Sequence, residues 1–290
     1  MKKLGLVYWI RTHAFIVAIG VILAIDIFLT LVVFSHRNFL RVSFLDVGQG
    51  DAVFVQAPNG NQLLYDAGPP TGTAIRALSH VMPFWDRSID VAVFSHPDMD
   101  HIGGFPEIFK RYEIGVALEP GVGSNNGVYT TAEQAIVTEK AGHILARGGM
   151  SIELGGGVFA DILYPDRDTT GMETNSASIV MRIRYGKTAF LVSGDLPQAQ
   201  EDLLTGVYGE QLHADVLKLG HHGSRTSSSQ YWLSAIHPAT AVISSGKHNR
   251  YGHPHKEVLE LLQKMNIPYL NTADVGTISF ESDGDTVSRK

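Results

Sequence analysis

Apolar positions in this 290-residue chain form one long run near the start and many short, alternating ones after it. The long run extends from Ala14 to Phe34, and only Asp26 and Thr30 interrupt it. A helix of that length reaches about 30 Å, the thickness of a bilayer's hydrocarbon core. No small-residue cleavage site follows, and the run is longer than a signal peptide's apolar segment. The pattern therefore predicts an uncleaved membrane anchor over 14–34 behind a short tail over 1–13. Asp26 would cost about 2.5–3.5 kcal/mol in mid-bilayer, which points to a partner helix from another membrane protein. Lys2, Lys3 and Arg11 precede the run, and Arg37 and Arg41 follow it. That bias favours a single-pass topology with the bulk of the chain outside the cytoplasm.

Beyond Arg41 the pattern is that of one continuous domain over 41–290. Strands are predicted at 41–47, 52–55 and 62–65, the last two joined by an Asn59-Gly60 turn. A helix over 73–82 leads to a strand over 90–94, a short helix over 105–112 and a longer one over 130–141, with Gly142 as its C-cap. Glycines dominate 148–157, which reads as turns. Strands at 178–184 and 187–192 pair across Tyr185-Gly186, and further strands are expected at 214–219 and 240–243. Helices over 197–204, 229–236 and 256–265 separate and follow them. Periodicity alone supports mixed α and β in a single domain, with mainly antiparallel strands in each half.

Composition narrows the chemistry. At 44% hydrophobic, the chain can build a substantial core. With no cysteine, disulfides and thiolate metal sites are excluded, so any metal must be held by His, Asp and Glu. A net charge of −6 without long blocks of one sign argues against a surface built to coat nucleic acid.

The densest chemistry lies in Ser95-His96-Pro97-Asp98-Met99-Asp100-His101, directly after the apolar strand over 90–94. Two imidazoles and two carboxylates on a turn leaving a strand can converge on a divalent cation such as zinc or manganese. Other strand ends carry similar groups: Tyr65-Asp66-Ala67-Gly68, Asn175-Ser176-Ala177-Ser178, Ser193-Gly194-Asp195 and Gly220-His221-His222-Gly223-Ser224. Any one of these could be an ordinary turn. As a series they make coincidence a poor explanation.

The series resembles the metallo-β-lactamase superfamily, over about 41–282. Several stretches more narrowly resemble the catalytic domain of ComEC-type DNA-uptake proteins: Asp46-Val-Gly-Gln-Gly-Asp51, Ser95 to Gly104, Ser193-Gly-Asp195, Lys218 to Ser224, and Tyr251-Gly-His-Pro-His255. The resemblance implies an α+β fold, a four-layer αββα sandwich, preceded here by a single transmembrane helix. It implies two divalent ions, Zn2+ or Mn2+. His96 and Asp98 would hold one, with weak help from Asn175; Asp100, His101 and His222 would hold the other, and Asp195 would bridge them. The superfamily's usual run has His at the Asp98 position and usually His at Asn175, and the carboxylate-rich replacement moves preference toward manganese. Asp66 would orient the loop that bears the cluster, and Gly103 and Gly104 would let backbones approach closely. His221 competes with His222, because neighbours on a strand point to opposite faces.

Two cations about 3.5–4 Å apart can share a hydroxide made nucleophilic at neutral pH, and they neutralise charge on a phosphoryl oxygen. Asp100 would steer the water, while His253 or His221 would protonate the leaving alkoxide. Ser224, Thr226 and His253 are candidates to touch an anionic substrate group. The sequence reading is thus a membrane-anchored phosphodiesterase or nuclease, acting on single-stranded DNA or on an envelope phosphodiester such as a choline ester. The competing class is a non-catalytic, metal-stabilised binding module at the membrane. A β-lactamase proper is disfavoured by Asp98 and Asn175.

Overall fold

The structure is a computed structural model that describes residues 2–35 and 39–290; Arg37, one of the charges counted after the apolar run, lies outside them, as do the side chains of 2–8, 10–12 and 31–35. Two compact units make up the chain, Met1–Asn38 and Phe39–Lys290. The described residues of the first form one helix, α1 (Lys2–Ser35), so residues 2–13 of the stretch read as a tail are helical too. Its stretch His13–Thr30 has a mean hydropathy of 2.3, with none of it buried, which is long and apolar enough to cross a membrane.

The second unit is a two-sheet sandwich. The first sheet contains β1 (Leu40–Phe44), β2 (Val53–Gln56), β3 (Gln62–Tyr65), β4 (Ser88–Val93), β5 (Glu113–Glu119) and β6 (Gly142–Leu145). The second contains β7 (Ser151–Gly155), β8 (Val158–Tyr164), β9 (Val180–Tyr185), β10 (Thr188–Val192), β11 (Val216–Lys218), β12 (Thr240–Ile243) and β13 (Tyr269–Asn271). The chain then returns to the first sheet with β14 (Ile278–Ser282) and β15 (Val287–Arg289), giving the order β15-β14-β1-β2-β3-β4-β5-β6. The second sheet runs β13-β12-β11-β10-β9-β8-β7.

Four layers follow from where the apolar side chains go. Val42, Phe44, Val53, Val55, Leu63 and Tyr65 face Ile183, Phe190, Val192, Val216 and Val242 in one core between the sheets. The alternate residues Phe54, Leu64, Ala92 and Phe94 pack under the helices α2 (Thr73–Val81), α4 (Phe105–Phe109) and α5 (Gly127–Thr138). Leu191, Leu217, Ala241 and Ile243 do the same under α6 (Gln198–Tyr208), α7 (Gln230–Ile236) and α8 (Lys256–Lys264). Strands buried on both faces read as near-continuous apolar runs, as Thr188–Val192 does.

Three expectations change. The sheets are not mainly antiparallel: β3 to β6 run parallel, and so do β10 to β13. Periodicity reports burial and is blind to strand direction. The glycine-rich stretch over 148–157 is not all turn, because Ser151–Gly155 and Val158–Tyr164 form a hairpin. Gly142 does not cap the helix before it. The helix ends at Thr138, Lys140 takes the left-handed conformation (φ 57°), and Gly142 opens β6.

Strand direction places the chemistry. β1, β3, β4, β10, β11 and β12 all end at one rim, and the loops that leave them there carry Asp51, Asp66, His96, Asp195, His222 and Ser244.

Candidate metal centre

His96 lies three residues past the end of β4, and the chain then turns into a short helix, α3 (Met99–Ile102), which carries Asp100 and His101. Backbone hydrogen bonds pin this segment to the loop after β3. Ala67 N donates to His101 O (2.7 Å) and Gly104 N to Gly68 O (3.0 Å). A Cβ at Gly104 would overlap the Ala67 carbonyl oxygen, so the approach requires glycine there.

Hydrogen bonds on one side of each imidazole fix what the other side presents. Asp66 is buried and accepts from Ser95 N (2.8 Å), Ser95 Oγ (2.7 Å) and His101 Nδ1 (2.8 Å). Because Ser95 Oγ gives its proton to Asp66, it can only accept from His96 Nδ1, 2.9 Å away. His222 Nδ1 donates to Ser244 O (3.0 Å). Three buried histidines thus carry hydrogen on Nδ1 and turn Nε2 inward, where it offers a lone pair once any proton there is released. Those Nε2 atoms, together with Asp195 Oδ1, are buried without a hydrogen-bond partner among the described residues. Asp195 Oδ1 is 3.2 Å from His101 Nε2, and its Oδ2 is 3.6 Å from His222 Nε2. Asp100 Oδ2 lies 3.3 Å from His222 Nε2, and the His96 and His101 rings are 4.1 Å apart. Buried imidazole lone pairs and carboxylate oxygens that face each other form the donor set of a divalent cation, so the residues fit such an ion.

The sequence reading gave no role to Asp51, Lys218 or Ser95. Asp51 and Lys218 are fully buried and paired through Oδ2 and Nζ. Asp51 approaches the Nδ1 atoms, 3.2 Å for His222 and 3.8 Å for His101. It therefore stands behind the histidines rather than among the inward-facing donors, although its carboxylate lies within 4.8 Å of the same cluster. A lysine inside the apolar strand Val216–Lys218 was the available signal, since a buried ammonium needs a counter-charge.

The remaining candidates sit nearer solvent. Asp98 is partly exposed, with Oδ2 3.7 Å from His96 Nε2. Asn175 opens a short 3-10 turn, and its Oδ1 is buried without a partner among the described residues. His221 and His222 are not on a strand. Both adopt left-handed conformations (φ 48° and 55°) in the turn Gly220–Gly223, so strand alternation does not choose between them. Both reach Asp195, His221 Nε2 at 3.5 Å from Oδ2. Ser224 Oγ and Thr226 Oγ1 are 3.0 Å apart, and Thr226 Oγ1 is 3.2 Å from His221 Nδ1, so the two hydroxyls form a support for His221. His253 packs at the mouth, 5.4 Å from the His221 ring and 6.1 Å from that of His222. It also lines a cavity of about 580 Å³ with Ser245, Lys247, His248 and Asn249.

Electrostatics separates the histidines. Burial, then the charge on His101, pulls His96 down to about 3, so its Nε2 is a free lone pair at neutral pH. Burial opposes charge on His101 as well, but Asp195 and Asp66 overcome it and hold His101 well above the ordinary imidazole range. For His222 burial is again opposed, by Asp195 and Asp51, which raise it to about 9. Burial would raise Asp195, yet His101 and His222 drive it well below the carboxylate range. Protons on His101 and His222 balance these carboxylates, and a divalent cation would displace them. His253 is lowered to about 4 by burial, then by His222 and His221. Burial lowers His221 too, against the pull of Asp195.

A sequence profile described as the metallo-beta-lactamase superfamily matches residues 45–248. The chain is 36% identical over 248 residues to competence protein ComA of Neisseria gonorrhoeae, a match covering 84% of this chain and 32% of that protein. It is 30% identical over 268 residues to ComE operon protein 3 of Bacillus subtilis, covering 83% and 33%. The chain thus spans about a third of the length of these relatives. Among solved structures, Igni18, a metallo hydrolase from Ignicoccus hospitalis, superposes with a TM-score of 0.56 at 16% identity, covering 84% of this chain and 99% of that one.

Proposed function

The chain belongs to the metallo-beta-lactamase superfamily, and on that premise we propose that it is a membrane-anchored, metal-dependent phosphodiesterase. The observation that carries this reading is the set of inward-facing atoms: Nε2 of His96, His101 and His222 with Asp195 Oδ1, all buried without hydrogen-bond partners among the described residues. His96, Asp98 and Asn175 would hold one divalent ion, Asp100, His101 and His222 a second, and Asp195 would serve both. The carboxylate share of this set favours manganese over zinc. When bound, such ions lower the pKa of water and neutralise charge developing on a phosphoryl oxygen.

The protein's own groups do the rest. Asp66 and Ser95 keep the His96 and His101 rings from rotating. Asp100, more exposed than Asp195, orients the attacking water. His221 and His253 are both held in the neutral form, so either supplies a proton to a leaving alkoxide only after accepting one from that water. Lys247, which lines the same cavity as His253, offers positive charge to a phosphodiester backbone. Similarity to competence proteins supports single-stranded DNA as the first substrate to test, with envelope phosphodiesters second. The apolar helix supports anchoring, and the positive residues before it support an extracytoplasmic domain.

The test is turnover of bis-p-nitrophenyl phosphate, then of single-stranded DNA and choline phosphodiesters, by metal-free protein titrated with Mn2+ or Zn2+. Metal-dependent turnover is expected. Fully metallated protein without turnover on any of these would favour the binding-module reading.

A further inference from the structure

The histidines around the centre are not all held in the same way. His96, His101 and His222 are each fixed through a hydrogen bond at Nδ1. His253 has no such tether, because its Nδ1 is buried without a hydrogen-bond partner among the described residues. Its ring stacks on Tyr251 at 5.7 Å and meets His255 and His221 edge-on at 4.8 and 5.4 Å. Ring contacts of this kind are worth about 0.5–1.5 kcal/mol each, too little to hold an imidazole in one place unaided. A fixed position for His253 must come from its backbone.

One side chain supplies that control. In the loop after β12, Lys247, His248, Arg250 and Tyr251 are exposed, while Asn249 turns partly inward. Asn249 Oδ1 accepts from His253 N (2.9 Å) and Tyr251 N (3.2 Å). Its Nδ2 donates to His253 O (2.6 Å) and Gly246 O (3.0 Å). A primary amide has two donor hydrogens and two acceptor lone pairs, and all four are used here. The amide therefore clamps His253 at both its N–H and its C=O, and it also sets the backbone of Tyr251, on which the His253 ring stacks. Gly246 gives the clamp a firm post: its N–H donates to Gln49 Oε1 (3.2 Å), and a Cβ on Gly246 would lie 2.8 Å from Gln49 N. Aspartate at 249 has the same shape but cannot donate, and it would set a carboxylate against two carbonyl oxygens.

We propose that Asn249 is the positioning residue for His253, performing no chemistry itself and fixing through the His253 backbone where that imidazole stands at the mouth of the centre. This rests on the phosphodiesterase reading, in which His253 hands a proton to the leaving alkoxide, and the test separates the two. Full-length, metal-loaded Asn249→Ala, Asn249→Asp, His253→Ala and the Asn249→Ala/His253→Ala double variant are assayed on an alkyl phosphodiester, single-stranded DNA or a choline ester, and on bis-p-nitrophenyl phosphate. Nitrophenolate leaves without a proton, so a residue that acts through a proton donor matters far more for the alkyl ester. With Asn249→Ala, kcat on the alkyl ester should fall about 10–100-fold at unchanged KM. That fall should exceed the fall on the nitrophenyl ester by about tenfold. Asn249→Asp should be no better, and adding Asn249→Ala to His253→Ala should cost no more than about a further twofold. Equal losses on both esters, losses that multiply in the double variant, or near-normal turnover by Asn249→Asp would each overturn the proposal. Should the unsubstituted protein turn over neither ester, the phosphodiesterase reading fails, and the positioning is decided by nuclear magnetic resonance of metal-free protein labelled with 13C-histidine. The His253 ring signal, identified by its loss in His253→Ala, should then move in Asn249→Ala toward that of a free imidazole. An unmoved signal, or a shift that extends to His96 and His101, would overturn the assignment of Asn249 to His253.

Discussion

The candidate centre has two walls of different construction. The inner wall, made by His96, His101, His222 and Asp195, is buried, and each imidazole is held from behind by Asp66, Ser95 or Ser244. The outer wall, made by His221 and His253, is partly open to solvent. Rigid, oriented donors are what an ion needs, because each ligand must be placed without help from water. Half-open groups with spare valence are what a substrate needs. The contrast suggests that binding of ions and handling of substrate are separate tasks of separate side chains, and mutation can show whether they are.

The severest challenge is Asp195→Ala, which removes the carboxylate shared by His101, His221 and His222. Turnover should fall by about 10³-fold or more, and metal content, measured by elemental analysis, should drop with a native circular dichroism spectrum. Near-normal turnover would remove Asp195 from its central place. Next comes Lys218→Met, which deprives buried Asp51 of its ammonium partner. Urea unfolding should reveal a loss of about 3–5 kcal/mol, and the double change with Asp51→Leu should be milder than either single one. His253→Ala belongs to the outer wall: turnover should fall about 10²-fold at unchanged metal content. Loss of metal in that variant would erase the distinction between the walls. Asp66→Asn touches no inward-facing atom, yet metal affinity should weaken by about 10–100-fold, as read by competition with a chelating dye.

The smallest effect on the centre itself is expected from a control far from both walls. Glu201 is buried against Ser228 N and Ser229 N, and burial pushes it from 4.5 up to about 8. Between those values the unfolded chain has released this proton and the folded chain retains it. Stability should therefore fall as pH rises through that window, by up to about 1.4 kcal/mol per pH unit. Thermal melts of Glu201→Gln should lack this slope, while its metal affinity stays that of the unchanged protein.

Much of this was legible in the chain. The polar segments at 66, 95–101, 193–195 and 220–224 stand out because each follows an apolar strand, and the structure brings all four to one rim. Pairings over distance were not legible. Asp51 and Lys218 are 167 positions apart, and each alone reads as a stray charge beside a strand. The hairpin of β7 and β8 hid behind Gly155, Gly156 and Gly157, whose left-handed φ values make its turn but whose density suggested turns throughout. His221 and His222 were read with strand geometry, and two successive left-handed residues have no signature that local pattern reveals.

The contacts across the centre share one further property. His101 meets Asp195, Asp51 meets Lys218, and Asp100 meets His222, so each joins the first sheet's half of the chain to the second sheet's half. Neither portion owns a usable fraction of the machinery. Synthesis that stops short of the second sheet leaves a fragment with ligands but no opposing jaw. Ion binding at the centre would therefore require both sheets to be present and closed on one another.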